Sequence, residues 1–123
     1  MAAGGAEHPK QVQWSFSGPL GKFDKAQLQR GYKVYREVCA ACHSMNLVYF
    51  RNLGQKGGPF YDPKYKNPND NPYVKALAAD IQVNDVDSET GDVIQRPASS
   101  ADHFPAPFAN EAAGRASNGG AYP

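Results

Sequence analysis

Apolar positions recur at helical spacing over only one long stretch of this chain. Leu28, Tyr32, Tyr35 and Cys39 fall at i, i+4, i+7 and i+11, which is one face of an α-helix. Asp24, just ahead of them, is a good N-cap, and Gln27 three residues later suits a capping-box-like pair. The spacing predicts a helix from Lys25 to about Val38, with Gly31, Val34 and Val38 beside the apolar face. Gly31 costs about 1 kcal/mol against Ala in a helix interior, so close approach of another backbone is expected there. Ahead of the helix, residues 1–13 are small and polar and read as a loose arm. Trp14, Phe16 and Leu20 form an apolar patch around Gly18-Pro19.

Beyond the helix the pattern shortens. Met45 to Leu53 is an apolar run. Gly54 to Pro72 is broken by Gly57-Gly58-Pro59, Asn67-Pro68 and Asn71-Pro72, all turn signals. Tyr73 to Asp80 reads as a short helix, with Asn71 as cap and Pro72 at its first position. Ile81-Gln82-Val83 and Asp92-Val93-Ile94 flank a polar turn and predict a β-hairpin. The acids of that turn resemble a calcium loop, but the glycine stands one position late and the twelfth-position Glu is absent, so calcium is rejected. Phe104-Pro105-Ala106-Pro107-Phe108 is an extended apolar strip, expected to order against a partner or cofactor. Asn110 is a candidate cap for a short helix over residues 111–116. The fold class expected is mainly α, with long irregular loops and one small β-hairpin.

Composition agrees with a loop-rich chain. Among 123 residues there are ten Pro and twelve Gly, and a single domain this short buries a modest core. A flat apolar cofactor would supply the centre that the residues lack. The net charge of +1 offers no electrostatic argument for nucleic acid. Its distribution is uneven. Residues 1–78 hold eleven Lys or Arg and five Asp or Glu; residues 79–123 hold two and seven. No apolar run approaches the roughly 20 residues that span a bilayer. Met1 to Gly5 lacks the charged and apolar regions of a signal peptide.

The chemistry is concentrated in Cys39-Ala40-Ala41-Cys42-His43, which holds both cysteines of the chain. C-x-x-C-H is the attachment signature of c-type haem. Two thiols at this spacing can add to the two vinyl groups of one porphyrin, and the following imidazole can ligate the iron. The helix upstream delivers Cys39 on its apolar side, and Met45 to Leu53 is expected to cover one haem edge. Other uses of the motif fit less well. A thioredoxin-like dithiol wants a βαβ context. A structural zinc site needs four ligands, and only His8 and His103 remain, far apart in sequence. A disulfide across two residues closes almost no loop. C-type haem is attached outside the cytoplasm, so an export signal is expected to have been removed. The expected cofactor is therefore one covalently held haem c.

These residues carry a resemblance. Tyr35-x-x-Val38-Cys39-Ala40-Ala41-Cys42-His43-Ser44-Met45 resembles the cytochrome c1 family, the haem subunit of ubiquinol–cytochrome c reductase. So do Val74-Lys75-Ala76-Leu77-Ala78-Ala79, Arg96-Pro97 with Asp102-x-Phe104-Pro105-x-Pro107, and Ala112-Ala113-x-Arg115-Ala116-x-Asn118-Gly119-Gly120-Ala121-x-Pro123. The resemblance covers Trp14 to Pro123 and implies a partial cytochrome c domain over 14–123, an incomplete c-type cytochrome fold. It implies that the methionine ligand, the arginine near a haem propionate, the helix packing on Gly31 and Tyr35, and the membrane anchor belong to sequence beyond Pro123. Met45, two residues past His43, is on the wrong side of the ring to be the sixth ligand. Cys39 and Cys42 become the tethers, His43 the axial iron ligand, and Asn118, Ala121, Tyr122 and Pro123 a lining of the haem edge.

The resemblance implies an electron carrier without catalytic acid, base or nucleophile. A Rieske iron–sulfur protein would be the donor, soluble cytochrome c the acceptor and cytochrome b a neighbour. The expected location is the periplasmic side of a bacterial inner membrane or the intermembrane-space side in mitochondria, reached through the anchor or the complex. Asp80, Asp85, Asp87, Glu89 and Asp92 are candidates to attract a basic cytochrome c, or simply a solvated hairpin. Two rival readings remain: a haem sensor with an open site or with His103 or His8 as distal ligand, and a fragment inactive by itself.

Overall fold

The computed structural model describes residues 7–123, so positions 1–6 of the expected arm lie outside the described residues. Helix α1 spans Lys25–Glu37, α2 Pro72–Ala79 and α3 Glu111–Ser117, and strands β1, Gln82–Val86, and β2, Val93–Pro97, form an antiparallel pair. Three α-helices and one small sheet are thus present among the described residues. Each helix begins where a side-chain oxygen replaces a missing backbone partner. Asp24 accepts from the Gln27 amide, Asn71 from Tyr73 and Asn110 from Ala113. The Gln27 side chain does not return the bond to Asp24, so only half of the expected capping box forms.

The amino-terminal patch differs from expectation. Trp14 stacks on Phe16 at 5.7 Å, and Phe16 packs on Phe23 at 4.8 Å. Leu20 stands apart, 91% exposed, because the turn closed by Gly21 N–H to Gly18 C=O turns it outward.

The core is made elsewhere. Phe50, Leu53, Val74, Ala78, Ile81, Ala98 and Phe104 are its buried residues among those described. Phe50 and Leu53 lie on a 3-10 turn, Phe50–Gly54. The run from Met45 to Leu53 therefore divides, its second half packing inward while Met45 and Leu47 stay exposed. Phe104, expected to meet a partner or cofactor, is 4% exposed and packs on Phe50 at 4.7 Å. A long-range backbone pairing brings it there. Phe50 N–H donates to Asp102 C=O, Arg51 N–H to Ser100 C=O and Phe104 N–H to Val48 C=O. Helix α2 approaches closely enough that a Cβ on Gly54 would lie 2.8 Å from Val74 Cγ2.

The hairpin is longer than its sequence signal, pairing Gln82 with Pro97 through to Val86 with Val93. Its turn closes with Asp87 N–H to Asp92 C=O and Gly91 N–H to Asp87 C=O. Gly91 has a φ of +73°, a value that costs glycine little. Ala98 N–H donates to Ile81 C=O at 2.7 Å, joining the foot of the hairpin to the core. Among the described residues no helix is long and apolar enough to cross a membrane.

Candidate functional site

Helix α1 ends at Glu37, and Cys39–Ala41 forms a single 3-10 turn directly behind it. The amides of Cys42 and His43 both donate to the Cys39 carbonyl, at 3.1 and 2.8 Å. This tight turn keeps both thiols and the imidazole on one short span of backbone. Both cysteines are free; Cys39 is half-buried and Cys42 exposed, as is His43. Among the described residues no three His, Cys, Asp or Glu side chains converge as for a metal ion. Cys39, Cys42 and His43 are thus presented from one turn without forming such a cluster.

Tethering a porphyrin needs two unpaired thiols, and ligating its iron needs an imidazole close behind them. The ring also needs apolar surface to cover. Val34 is 55%, Val38 66% and Leu47 87% exposed, and a Cβ built on Gly31 would meet nothing within 4 Å. Close backbone approach to Gly31, expected from its helical position, does not occur among the described residues. Beside the turn lies an apolar cleft of about 120 Å³, lined by residues that include Tyr35, Ala40, Phe104, Pro105 and Pro107. Enclosing pockets hold roughly 300–1,000 Å³, so this cleft is a floor and not an enclosure. The donor set and the bare apolar surface around it fit the group.

The predicted face is present: Leu28, Tyr32 and Tyr35 are half-buried apolar positions of α1, and Cys39, on the turn behind it, is half-buried as well. Tyr35 is not left open, as a face awaiting another helix would be. Its ring stacks on Phe104 at 5.9 Å and its hydroxyl donates to the His43 carbonyl at 3.2 Å. Tyr32 meets Phe60 and Phe104 edge-on.

The carboxy-terminal candidates form a separate group. Asn118 ends α3, its side-chain Nδ2 donating to Gly114 C=O at 2.8 Å. Tyr122 lies over the same glycine, where an added Cβ would stand 2.9 Å from its ring. Ala121 is exposed and Pro123 half-buried. Among the described residues no hydrogen bond or ring contact joins these four to Cys39, Cys42 or His43.

His103, the candidate distal ligand, forms an isolated bridge with Tyr49 and lies 3.9 Å from its ring; Arg51 covers that ring at 4.1 Å. His8 is exposed in irregular chain. Two of the hairpin acids have structural duties. Asp85 pairs with Arg96, and Asp87 accepts from the Glu89 and Thr90 amides within the turn. Asp80, Glu89 and Asp92 form no salt bridge among the described residues.

Sequence reasoning did not anticipate the network that holds Phe104 in place. Arg96 bonds both carboxylate oxygens of Asp102, at 2.8 and 2.9 Å, and Ser99 adds its amide and hydroxyl. The Arg96 hydrogen bonds hold the Asp102 carboxyl well below the usual carboxylate range, with Ser99 acting in the same direction against burial. The signal was the charge pair six residues apart around Pro97, whose geometry no local pattern reveals.

A family model described as Cytochrome C1 family matches residues 14–123. A "Cytochrome b/c1" of Bradyrhizobium diazoefficiens is 48% identical over 119 residues, covering 97% of this chain and 16% of the relative. A "Cytochrome c1-2, heme protein, mitochondrial" of Solanum tuberosum is 44% identical, covering 89% of this chain and 38% of the relative. A "Cytochrome c1" of Rhodospirillum rubrum is 42% identical, covering 98% and 40%. The chain thus spans 40% or less of the length of each of these curated relatives.

Proposed function

This chain belongs to the cytochrome c1 family, and from that premise we propose that it is part of a haem c electron carrier. The carrier takes electrons from a Rieske iron–sulfur protein and passes them to a soluble cytochrome c, within a membrane complex that contains cytochrome b. The observation that carries the reading is the turn at Cys39–His43, which presents two free thiols and an imidazole on a segment with exposed apolar residues on either side. A mitochondrial relative is named as a heme protein, and another as a catalytic subunit of the cytochrome b-c1 complex; both names support it.

A bound haem supplies one-electron redox chemistry. Cys39 and Cys42 would hold it covalently, and His43 would offer the iron an imidazole nitrogen. The apolar side chains Val34, Val38 and Leu47 would exclude water from around the group. Asn118, Ala121, Tyr122 and Pro123 are proposed to line its edge. Asp80, Glu89 and Asp92 carry the attraction to a basic partner in this reading, since Asp85 and Asp87 are engaged within the hairpin. The proposed setting is the periplasmic or intermembrane-space face of the membrane, where c-type haem is attached.

The test is attachment itself. Produced with an export signal and a haem-maturation system, the protein should gain the mass of one haem and keep its colour through acid–acetone extraction. Cys42→Ala should leave a single thioether, with a shifted haemochrome band. Extraction of all colour from the unmutated protein would rule the reading out.

A further inference from the structure

We propose that the Tyr35 hydroxyl is a positioning group for His43, clamping the backbone from which the imidazole is presented. This rests on the haem reading of His43 and adds to it a residue outside the attachment motif. The segment from Cys39 to Leu47 is mostly exposed. Its own backbone bonds are local: Cys42 and His43 to Cys39, and Val48 to Met45. Among the described residues, the bond from Tyr35 to the His43 carbonyl is the one side-chain hydrogen bond that reaches this segment.

The tether is firmly anchored at its other end. The Tyr35 ring lies nearly parallel to Phe104, with 20° between planes, and Phe104 packs on the fully buried Phe50. Tyr35, Phe104 and Phe50 thus form a rigid chain of rings from the core to the His43 peptide. Burial pushes the Tyr35 hydroxyl above its ordinary value, more strongly than the neighbouring Met45 backbone pulls it down. The group stays protonated at neutral pH and remains a donor. An axial imidazole whose backbone swings freely would ligate iron with a range of ring orientations; held at the carbonyl, it keeps one. Orientation and hydrogen bonding of axial ligands are among the means by which a protein tunes a haem.

Tyr32 provides an internal control. It lies one turn earlier, touches the same Phe104 ring, and its hydroxyl has no hydrogen-bond partner among the described residues. Tyr35→Phe and Tyr32→Phe each remove one oxygen and preserve a ring.

Two measurements decide the matter. The first uses the haem-loaded full-length protein: the midpoint potential and the g-value spread of the ferric iron by electron paramagnetic resonance. Tyr35→Phe should shift the potential and broaden or move the g-values, with Tyr32→Phe matching the unmutated protein. The second is amide hydrogen exchange over residues 43–47 without haem, which Tyr35→Phe should accelerate selectively. Identical behaviour of the two variants in both measurements overturns the proposal. If no form of the protein holds haem, the underlying reading fails instead, and exchange over 43–47 still tests the clamp. Should Tyr35→Phe fold poorly, 3-fluorotyrosine at position 35 strengthens the donor while keeping the ring. It should then slow exchange over the same residues, and unchanged exchange counts against the clamp.

Discussion

Asp102 couples the Arg96–Ser99 network to pH. Four hydrogen bonds from Arg96 and Ser99 favour its ionised form, so its folded-state pKa is depressed. A carboxyl of that kind contributes stability that is full above its unfolded pKa of about 3.9 and is lost as pH falls through the lower folded value. The thermal midpoint should therefore decline steadily below about pH 4. Asp102→Asn keeps the shape but loses the charge-assisted bonds, at a cost on the order of 1–2 kcal/mol at neutral pH. Its melting curve should also depend less on pH in that acid range. A variant whose acid sensitivity equals the parent's would place the titration elsewhere. Gly114 poses a different contest. Ala there gains about 1 kcal/mol of helix propensity but crowds Tyr122 and Phe108, at 2.9 and 3.2 Å from the new Cβ. Overpacking costs about 1–3 kcal/mol where neighbours are rigid. Tyr122 is about half exposed and can give way. Gly114→Ala should change stability by less than about 1 kcal/mol while shifting the Tyr122 ring resonances.

The helices differ in what their caps support. Asp24 is exposed, and its loss should cost α1 about 1 kcal/mol. Asn71 is fully buried. One side of its amide caps α2 through the Tyr73 N–H, and the other donates to the Phe60 carbonyl at 2.8 Å. Asn71→Ala removes the cap and leaves the Phe60 acceptor without its donor, a further cost of roughly 1–3 kcal/mol. Urea titration should show Asn71→Ala destabilising by about 2–4 kcal/mol, well beyond Asp24→Ala. Equal effects would mean that the loop at Phe60 adapts freely. The sequence signal, an Asn before Pro, identified the cap but not the second bond, because Phe60 is eleven residues away.

Across the whole molecule, stability is unevenly placed. Helix α1 contributes no fully buried residue, whereas α2 contributes Val74 and Ala78. Regions with few buried contacts open at lower free energy. Amide exchange should be faster through α1 than through α2 in the haem-free chain, despite the greater length of α1. Covalent attachment of haem at Cys39 and Cys42 should slow exchange mainly in α1 and residues 38–47. Uniform protection across both helices would show that α1 is already held by contacts outside its half-buried face.

Several features needed no tertiary information. The C-x-x-C-H motif, the face of α1 and the caps of α1 and α2 follow from residue type and spacing within about a dozen positions, as do the hairpin and the Asn110 cap of α3. Local hydrogen bonding and side-chain periodicity act at that range. Long-range structure decided the rest. Phe50, Leu53 and Phe104 look alike in sequence whether they cover a cofactor or fill a core. The pairing of residues 48–51 with 100–104 sends them inward. Asp85 reads as a surface acid until strand register brings Arg96 beside it. Tyr35 reads as one more apolar position on a helix until the turn after Cys39 folds the His43 carbonyl back onto its hydroxyl. In each case the deciding neighbour is distant in sequence or lies across a turn, and only the folded chain determines which partner a buried ring or a charged group meets.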